Sequence, residues 1–289
     1  MQKQYDANHQ HLVCLMYHPG VLLPFKADLQ NRYFKFNCGF KALSQRPNVA
    51  LFAAEYELTQ CYRTMLGNVI GTHPCGLISQ QQFEDIQLQK KLCPQVLLYV
   101  GDAKVNKGFL ALPDLLESLV ETIFDENVKF LIQYTITNNS VDLAAVDKTL
   151  KQWALKDKRI AIQDDFLTEQ AMHQLWLQTT DVVFNYDEAA YRYQSSGVLW
   201  QAAAYNANIY LMTDSWLNRE AKRLGCHYWY AKTWSQLQTY LQNNIENFHQ
   251  VEMNTSDKKN EYRNNLFSDL TSWLVTNISQ NKGNKTWNI

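Results

Sequence analysis

The sequence predicts an α/β fold with mainly parallel sheets, and three observations carry that prediction. Short β-branched or aromatic runs alternate with longer amphipathic stretches along most of the chain, the pattern of βαβ units. Turn-forming residues follow the apolar runs, as at His18-Pro19-Gly20, Gly67-Asn68 and Gly101. Hydrophobic residues make up 46% and charged residues 19% of the 289, enough apolar material for one large domain or two small ones.

Taken in order, Leu12–Tyr17 (LVCLMY) reads as a strand stopped by His18-Pro19-Gly20. Ala27–Leu43 reads as a helix ending before Arg46-Pro47, and Val49–Ala53 as a second strand. Across Glu55–Leu66, Leu58, Cys61, Tyr62, Met65 and Leu66 fall on one helical face. Val69–Gly71 is a brief third strand, and Thr72-His73-Pro74-Cys75-Gly76 reads as a hinge. Residues 1–78 therefore form a first domain that is short for a dinucleotide-type half. His18 and Glu55 follow its strands and face the cleft, where capping is the commoner duty of such groups. His73 is structural.

Ser79–Lys91 is a Gln-rich polar stretch that opens a second domain, 79–252. Its predicted strands are Val96–Val100, Val128–Tyr134, Arg159–Gln163, Val182–Tyr186, Ile209–Met212 and His227–Tyr230. Its predicted helices run from Pro113 to about Phe124, from Val141 to Leu155, and from Thr168, as cap, to Leu177. A polar loop then leads to a helix capped by Ser195 and Ser196, with Gly197 in its first turn. Asp214 or Ser215 caps a last helix, Trp216–Leu224, closed by Gly225. The tail, 253–289, holds a polar linker and a helix over Tyr262–Ile278 with Leu266, Leu270, Trp273 and Leu274 inward.

A formal net charge of −1 and no basic stripe argue against nucleic acid as a partner. Cys14, Cys38, Cys61, Cys75, Cys93 and Cys226 show no C-x-x-C spacing, which argues against a zinc site or a disulfide framework. The polar start MQKQYDANHQH carries no apolar signal core, and no run is long and apolar enough to span a bilayer. The expectation is a reduced, soluble, cytoplasmic protein with no metal site; its oligomeric state is left open.

In such sheets ligands bind beyond the carboxyl ends of the strands, so three loops draw interest. In YVGDAKVNKGF (Tyr99–Phe109), Lys104 and Lys107 lie three apart at a strand end, where two ammoniums can neutralise a diphosphate. No Walker pattern is present, and a K-x-x-K alone is an ordinary solvated pair. The Ser195-Ser196-Gly197 turn presents backbone N–H groups at a helix start, suited to a phosphate or a sugar hydroxyl. IQDDFLTEQ (Ile162–Gln170) places Phe166, Leu167 and Thr168 where a nucleotide base can lie.

Together YVGDAKVNKGF, the DVVFNY strand and YQSSGVLWQAAAYNANIYLMTDS resemble the donor-binding domain of GT-B-fold glycosyltransferases of the glycosyltransferase 4-like clan, over roughly Gln95–Asn247. The resemblance implies two Rossmann-like domains, the first truncated and lacking the usual opening strands and Gly-rich loop. It implies that Lys104 and Lys107 contact the diphosphate, with Lys104 in place of an arginine and so without its bidentate fork. It implies Ser195, Ser196 and Gly197 at the donor sugar and diphosphate, and Phe166, Leu167 and Thr168 around the base. Where the family carries two glutamates, this chain has Tyr193 near the donor sugar and Gln201 at the ribose. Gln201 can hydrogen-bond a hydroxyl without charge assistance. Glu188, beside Asp187 in the same loop, offers a carboxylate, so Glu188, Tyr193 and Gln201 form the expected catalytic set.

The implied function is transfer of a sugar from a nucleoside diphosphate sugar, as donor substrate rather than cofactor, to a glycan, lipid-linked or other acceptor. The implied chemistry is retaining and metal-independent, in the setting of polysaccharide biosynthesis. Two alternatives stand beside it. One is a catalytically impaired homologue serving as a nucleotide-sugar-binding or partner-binding module. The other is a different enzyme on the same architecture, such as a sugar-nucleotide epimerase.

Overall fold

The computed structural model describes residues 11–15, 38–46, 49–67, 70–72, 79–90, 95–120, 128–138 and 140–246, together with residues 264, 268 and 271. Contacts divide the chain into two compact units, Met1–Leu77 with Asn264–Ile289, and Ile78–Arg263. Each unit carries one parallel sheet.

In the first unit β1 (His11–Leu15), α1 (described over residues 38–44), β2 (Val49–Ala53), α2 (Tyr56–Leu66) and β3 (Ile70–Thr72) follow one another. The sheet runs β1-β2-β3, with Leu12 opposite Ala50 and Leu51 opposite Ile70. The central strand VALFA is apolar at every position, as a parallel strand covered on both faces requires. Helix α2 begins where the Glu55 carboxylate accepts from the N–H groups of Glu57 (2.6 Å) and Leu58 (2.7 Å). Glu55 therefore has the capping duty, satisfying donors that the helix leaves unpaired. His18 and His73 lie outside the described residues, as does most of the helix read over 27–43. Of the tail helix read over 262–278, residues 264, 268 and 271 are described, each helical.

The second unit contains α3 (Gln80–Lys90), β4 (Val96–Asp102), α4 (Leu112–Val120), β5 (Lys129–Thr135), α5 (Val141–Lys156), β6 (Ile160–Gln163), α6 (Glu169–Gln178) and β7 (Asp181–Phe184). It continues through α7 (Glu188–Tyr191), α8 (Gly197–Ala204), β8 (Asn208–Leu211), α9 (Trp216–Arg223), β9 (Tyr228–Tyr230) and α10 (Trp234–Glu246). The strand order is β6-β5-β4-β7-β8-β9, all parallel. Counted from β4, this is the doubly wound order 3-2-1-4-5-6, whose switch point falls between β4 and β7. Loops leave the carboxyl ends of those two strands in opposite directions and open a crevice between them.

Three expectations are corrected. The stretch Ser79–Lys91, read as polar, contains α3 (Gln80–Lys90): its Gln, Glu and Lys residues are good helix formers, and Phe83 and Ile86 turn inward. The loop after β7 contains α7, started by the Asp187 carboxylate accepting from the Ala190 N–H at 2.7 Å. Ser196 occupies the N-cap of α8, yet its side chain makes no capping hydrogen bond. Helix α10 was not anticipated; Leu237 and Leu241 anchor it in the core of the second unit.

That core gathers Leu97, Tyr99, Phe109, Phe130, Ile132 and Tyr134 with the inward leucines of α4. Phe109 packs 4.8 Å from Tyr134, centroid to centroid, directly after the lysine loop. Its complete burial contributes about 2–3 kcal/mol and pins the end of that loop. At the opposite, amino edge of the sheet, fully buried Asp181 accepts from four side chains: Gln95 (3.2 Å), Thr180 (2.6 Å), Asn208 (3.0 Å) and Tyr210 (3.0 Å).

Candidate functional site

The segment after β4 is shaped by two glycines in left-handed backbone. Gly101 has φ +135°, and a Cβ there would lie 3.0 Å from the Lys107 ammonium, so Lys107 folds back across it. Gly108 has φ +75°, and a Cβ there would overlap the Asn185 carbonyl oxygen and lie 2.8 Å from the Asn185 carbonyl carbon. A side chain at either position meets backbone strain, and at Gly108 it also collides with the Asn185 backbone. Between them Val105–Lys107 forms one 3₁₀ turn. The close approach at Gly108 seats the lysine loop on the segment after β7, and the Asp187 N–H donates to the Asn106 carbonyl at 2.9 Å.

Asp102, the last residue of β4, faces both lysines. Its Oδ2 lies 2.7 Å from Lys104 Nζ and 3.9 Å from Lys107 Nζ, and its Oδ1 accepts from the Thr135 hydroxyl at 3.4 Å. Lys104 is half-exposed, whereas the Lys107 side chain is 15% exposed. Burial pulls the Lys107 pKa down against the opposing pull of Asp102. The Lys104 hydrogen bond, helped by Lys107 and Thr135, holds the Asp102 carboxyl below its ordinary range.

Under this loop lies a floor of tyrosines. The Tyr99 hydroxyl donates to the Lys107 carbonyl at 3.2 Å, and the Tyr186 and Tyr191 rings pack at a tilt with their centres 4.4 Å apart. Burial raises all three phenol pKa values, that of Tyr191 to about 12, so they stand as neutral hydroxyls at neutral pH. Tyr186 links the two loops. Asp102 raises its pKa, and the Ser196 hydroxyl lowers it while not reaching hydrogen-bond geometry, which leaves the buried Tyr186 hydroxyl unpaired among the described residues.

The Ser195-Ser196-Gly197 turn follows β7 and α7, at the carboxyl edge of the strand that neighbours β4. Ser196 is buried and Gly197 exposed, and the first N–H groups of α8 lack a serine cap. The start of the helix offers those donors and its positive dipole end to an anion. Helix α8 is braced from behind: the Trp200 indole donates to Glu220 at 3.1 Å, and Arg223 holds the same carboxylate.

The other expected residues are less closely gathered. Thr168 spends its hydroxyl capping α6, accepting from the Ala171 N–H at 3.2 Å. Phe166 stands 89% exposed after β6, and Val105 and Ile136 are also exposed after β4 and β5. Glu188 is a solvated residue on the four-residue α7, and Gln201 is exposed on α8. Tyr193 is half-buried beneath two guanidiniums, Arg192 at 5.7 Å and Arg219 at 6.0 Å from its ring centre, with Arg219 also donating to the Arg192 carbonyl. Cation–π packing has taken the position where a carboxylate was to be sought. Sequence reasoning missed Asp102 and Tyr186. Asp102 could have been found from its spacing, two residues before Lys104; Tyr186 has no sequence signal beyond lying at a strand end.

Among the described residues no cluster of three or more His, Cys, Asp or Glu gathers as a metal site, and no helix is long and apolar enough to cross a membrane.

No family model and no curated protein matches the sequence. Solved structures do match in fold. The E. coli trehalose-6-phosphate structure bound with UDP-2-fluoro glucose aligns at TM-score 0.60 and 9% identity, covering 96% of this chain and 69% of that one. HepE from Anabaena, in complex with UDP and glucose, aligns at TM-score 0.52 and 10% identity, covering 93% and 71%. A glycosyltransferase from Rickettsia africae aligns at TM-score 0.52 and 11% identity, covering 94% and 70%. With two parallel sheets, one of them doubly wound, and these neighbours in structure, the chain has the GT-B fold.

Proposed function

We propose that the protein is a glycosyltransferase whose second unit binds a nucleoside diphosphate sugar and passes the sugar, with retention and without a metal at the donor site, to a glycan or lipid-linked acceptor. The observation that supports this reading is that Lys104 and Lys107 follow β4 while the uncapped start of α8 follows β7, the neighbouring strand across the switch point. As the bond from the anomeric carbon to the phosphate oxygen breaks, its electron pair stays on the diphosphate. Two ammoniums and a helix N-terminus oppose the charge that builds there. The exposed Phe166 supports stacking of the base, and Gln201 can hydrogen-bond a ribose hydroxyl. The UDP and UDP-sugar held by the neighbours named above make a uridine nucleotide the first donor to try.

Calorimetry with a panel of nucleotide sugars, on the wild type and on Lys107→Ala, tests the reading. Binding of at least one donor by the wild type and loss of it in the variant are expected. No binding to any donor or nucleotide would refute it.

A second reading is favoured by Tyr193 lying under Arg192 and Arg219 and by Gln201 carrying no charge. It is a relative that binds the donor but has lost turnover. Sugar transfer or donor hydrolysis that disappears in Lys104→Ala would dismiss it.

A further inference from the structure

We infer that Asp102 is an internal counter-anion: it holds the two lysines of the cradle in place and competes with the incoming diphosphate for them. This deepens the donor-site reading and rests on it, because it takes Lys104 and Lys107 as the diphosphate contacts.

The argument is one of geometry and charge. A single carboxylate oxygen lies 2.7 Å from one ammonium and 3.9 Å from the other, so it occupies the space between the two cations where a phosphate oxygen would sit. Among the described residues no other carboxylate pairs with either ammonium, and the neighbouring Tyr99, Tyr186 and Tyr191 are neutral. The cradle therefore carries two positive charges and one negative before any ligand arrives. The second carboxylate oxygen faces the Thr135 hydroxyl on β5 at 3.4 Å, a partner that remains when the lysines are taken. The loop cannot move away to relieve the repulsion, since Gly108 is wedged against Asn185 and Phe109 is fully buried. A diphosphate must bind with Asp102 still close by. A like charge about 5 Å from a phosphate oxygen in a half-screened site weakens binding by roughly tenfold. In exchange, the two lysines stay ordered before the ligand comes, which lowers the entropy lost on binding.

Isothermal titration of the full chain with inorganic pyrophosphate and with UDP tests this, using the wild type, Asp102→Asn, Asp102→Ser, Asp102→Glu and Lys107→Ala, each checked by thermal melting. Asp102→Asn and Asp102→Ser should bind both probes about tenfold more tightly and lose affinity more steeply with added salt. Asp102→Glu, which keeps the charge, should stay within about twofold of the wild type on the same electrostatic argument. A residue that merely supports the loop would show none of this dependence on charge. If the wild type binds pyrophosphate, Lys107→Ala loses it, and the Asn and Ser variants bind equally or more weakly, the counter-anion role is overturned while the diphosphate reading stands. If neither the wild type nor any variant binds either probe, the donor-site reading falls and takes this inference with it.

Discussion

Asp181 at the amino edge of the six-stranded sheet is fully buried and accepts four side-chain hydrogen bonds, whereas Asp102 at the carboxyl edge is 38% exposed and faces two lysines. Both carboxylates sit at strand ends of one sheet. The first is surrounded by neutral donors drawn from β8 and from the residues just before β4 and β7, and Asn244 of α10 extends the network by donating to the Tyr210 hydroxyl at 2.6 Å. Such a network is worth its desolvation only when every member is paired, and then it locks the strands in register. The second is held by two lysine ammoniums, near left-handed glycines and a buried phenol that is unpaired among the described residues. One edge is thus built to stay as it is, and the other to exchange partners. That division is what a doubly wound sheet needs when its ligand site lies at the carboxyl ends.

Four substitutions or conditions sharpen or break this contrast. The largest effect is expected at the amino edge: Asp181→Ala leaves four donors without their acceptor and should cost about 3–5 kcal/mol, read as a lower urea midpoint with pyrophosphate affinity preserved in the folded fraction. Equal stability in that variant would dissolve the contrast. Next comes Gly108→Ala, which forces strained backbone and a clash with Asn185. It should cost about 2–3 kcal/mol by denaturant titration and should also abolish pyrophosphate binding, since the lysine loop lifts off the segment after β7. Phe166→Ala should leave the melting temperature within about 1 °C, because an 89% exposed ring contributes little packing. The same change should weaken UDP about tenfold while leaving pyrophosphate untouched, if the ring stacks on the base.

The smallest effect concerns pH. The Asp102 pKa is lowered in the folded chain from its ordinary 3.8, so the unfolded chain binds that proton first. The contribution of Asp102 to stability is therefore complete above the ordinary value and is lost as pH falls through the lowered one. Urea midpoints followed from about pH 5 down to about pH 2 should fall less steeply for Asp102→Asn than for the wild type. Because the pair is partly solvated the difference is small, and an identical acid limb would show that the crevice ion pair does not hold in solution.

Much of this was legible in the residues. Strand positions follow from runs such as VALFA and DVVF, and helix starts from Glu55, Thr168 and Ser215, because caps and β-branched runs act through near neighbours. Lys104, Lys107 and the Ser-Ser-Gly turn could be singled out on the same grounds. Helices α3 and α10 were missed because their apolar faces are thin and interrupted by Gln and Asn; Phe83 and Ile86 anchor the first, Leu237 and Leu241 with Trp234 and Tyr240 the second. Thr168 was assigned to a base pocket and is occupied in capping α6.

The sequence by itself determined which segments become strands and helices, and which loops follow strand ends, since those choices depend on propensity and hydrophobic period within a few residues. Tertiary structure alone decided that β4 and β7, 84 residues apart at the Val96–Thr180 contact, lie side by side. It also decided that Gly108 wedges against Asn185, that Asp102 stands between the two lysines, and that arginines cover Tyr193. Strand order and side-chain direction arise from burying both faces of a sheet at once, a condition that no local stretch of residues can satisfy or reveal.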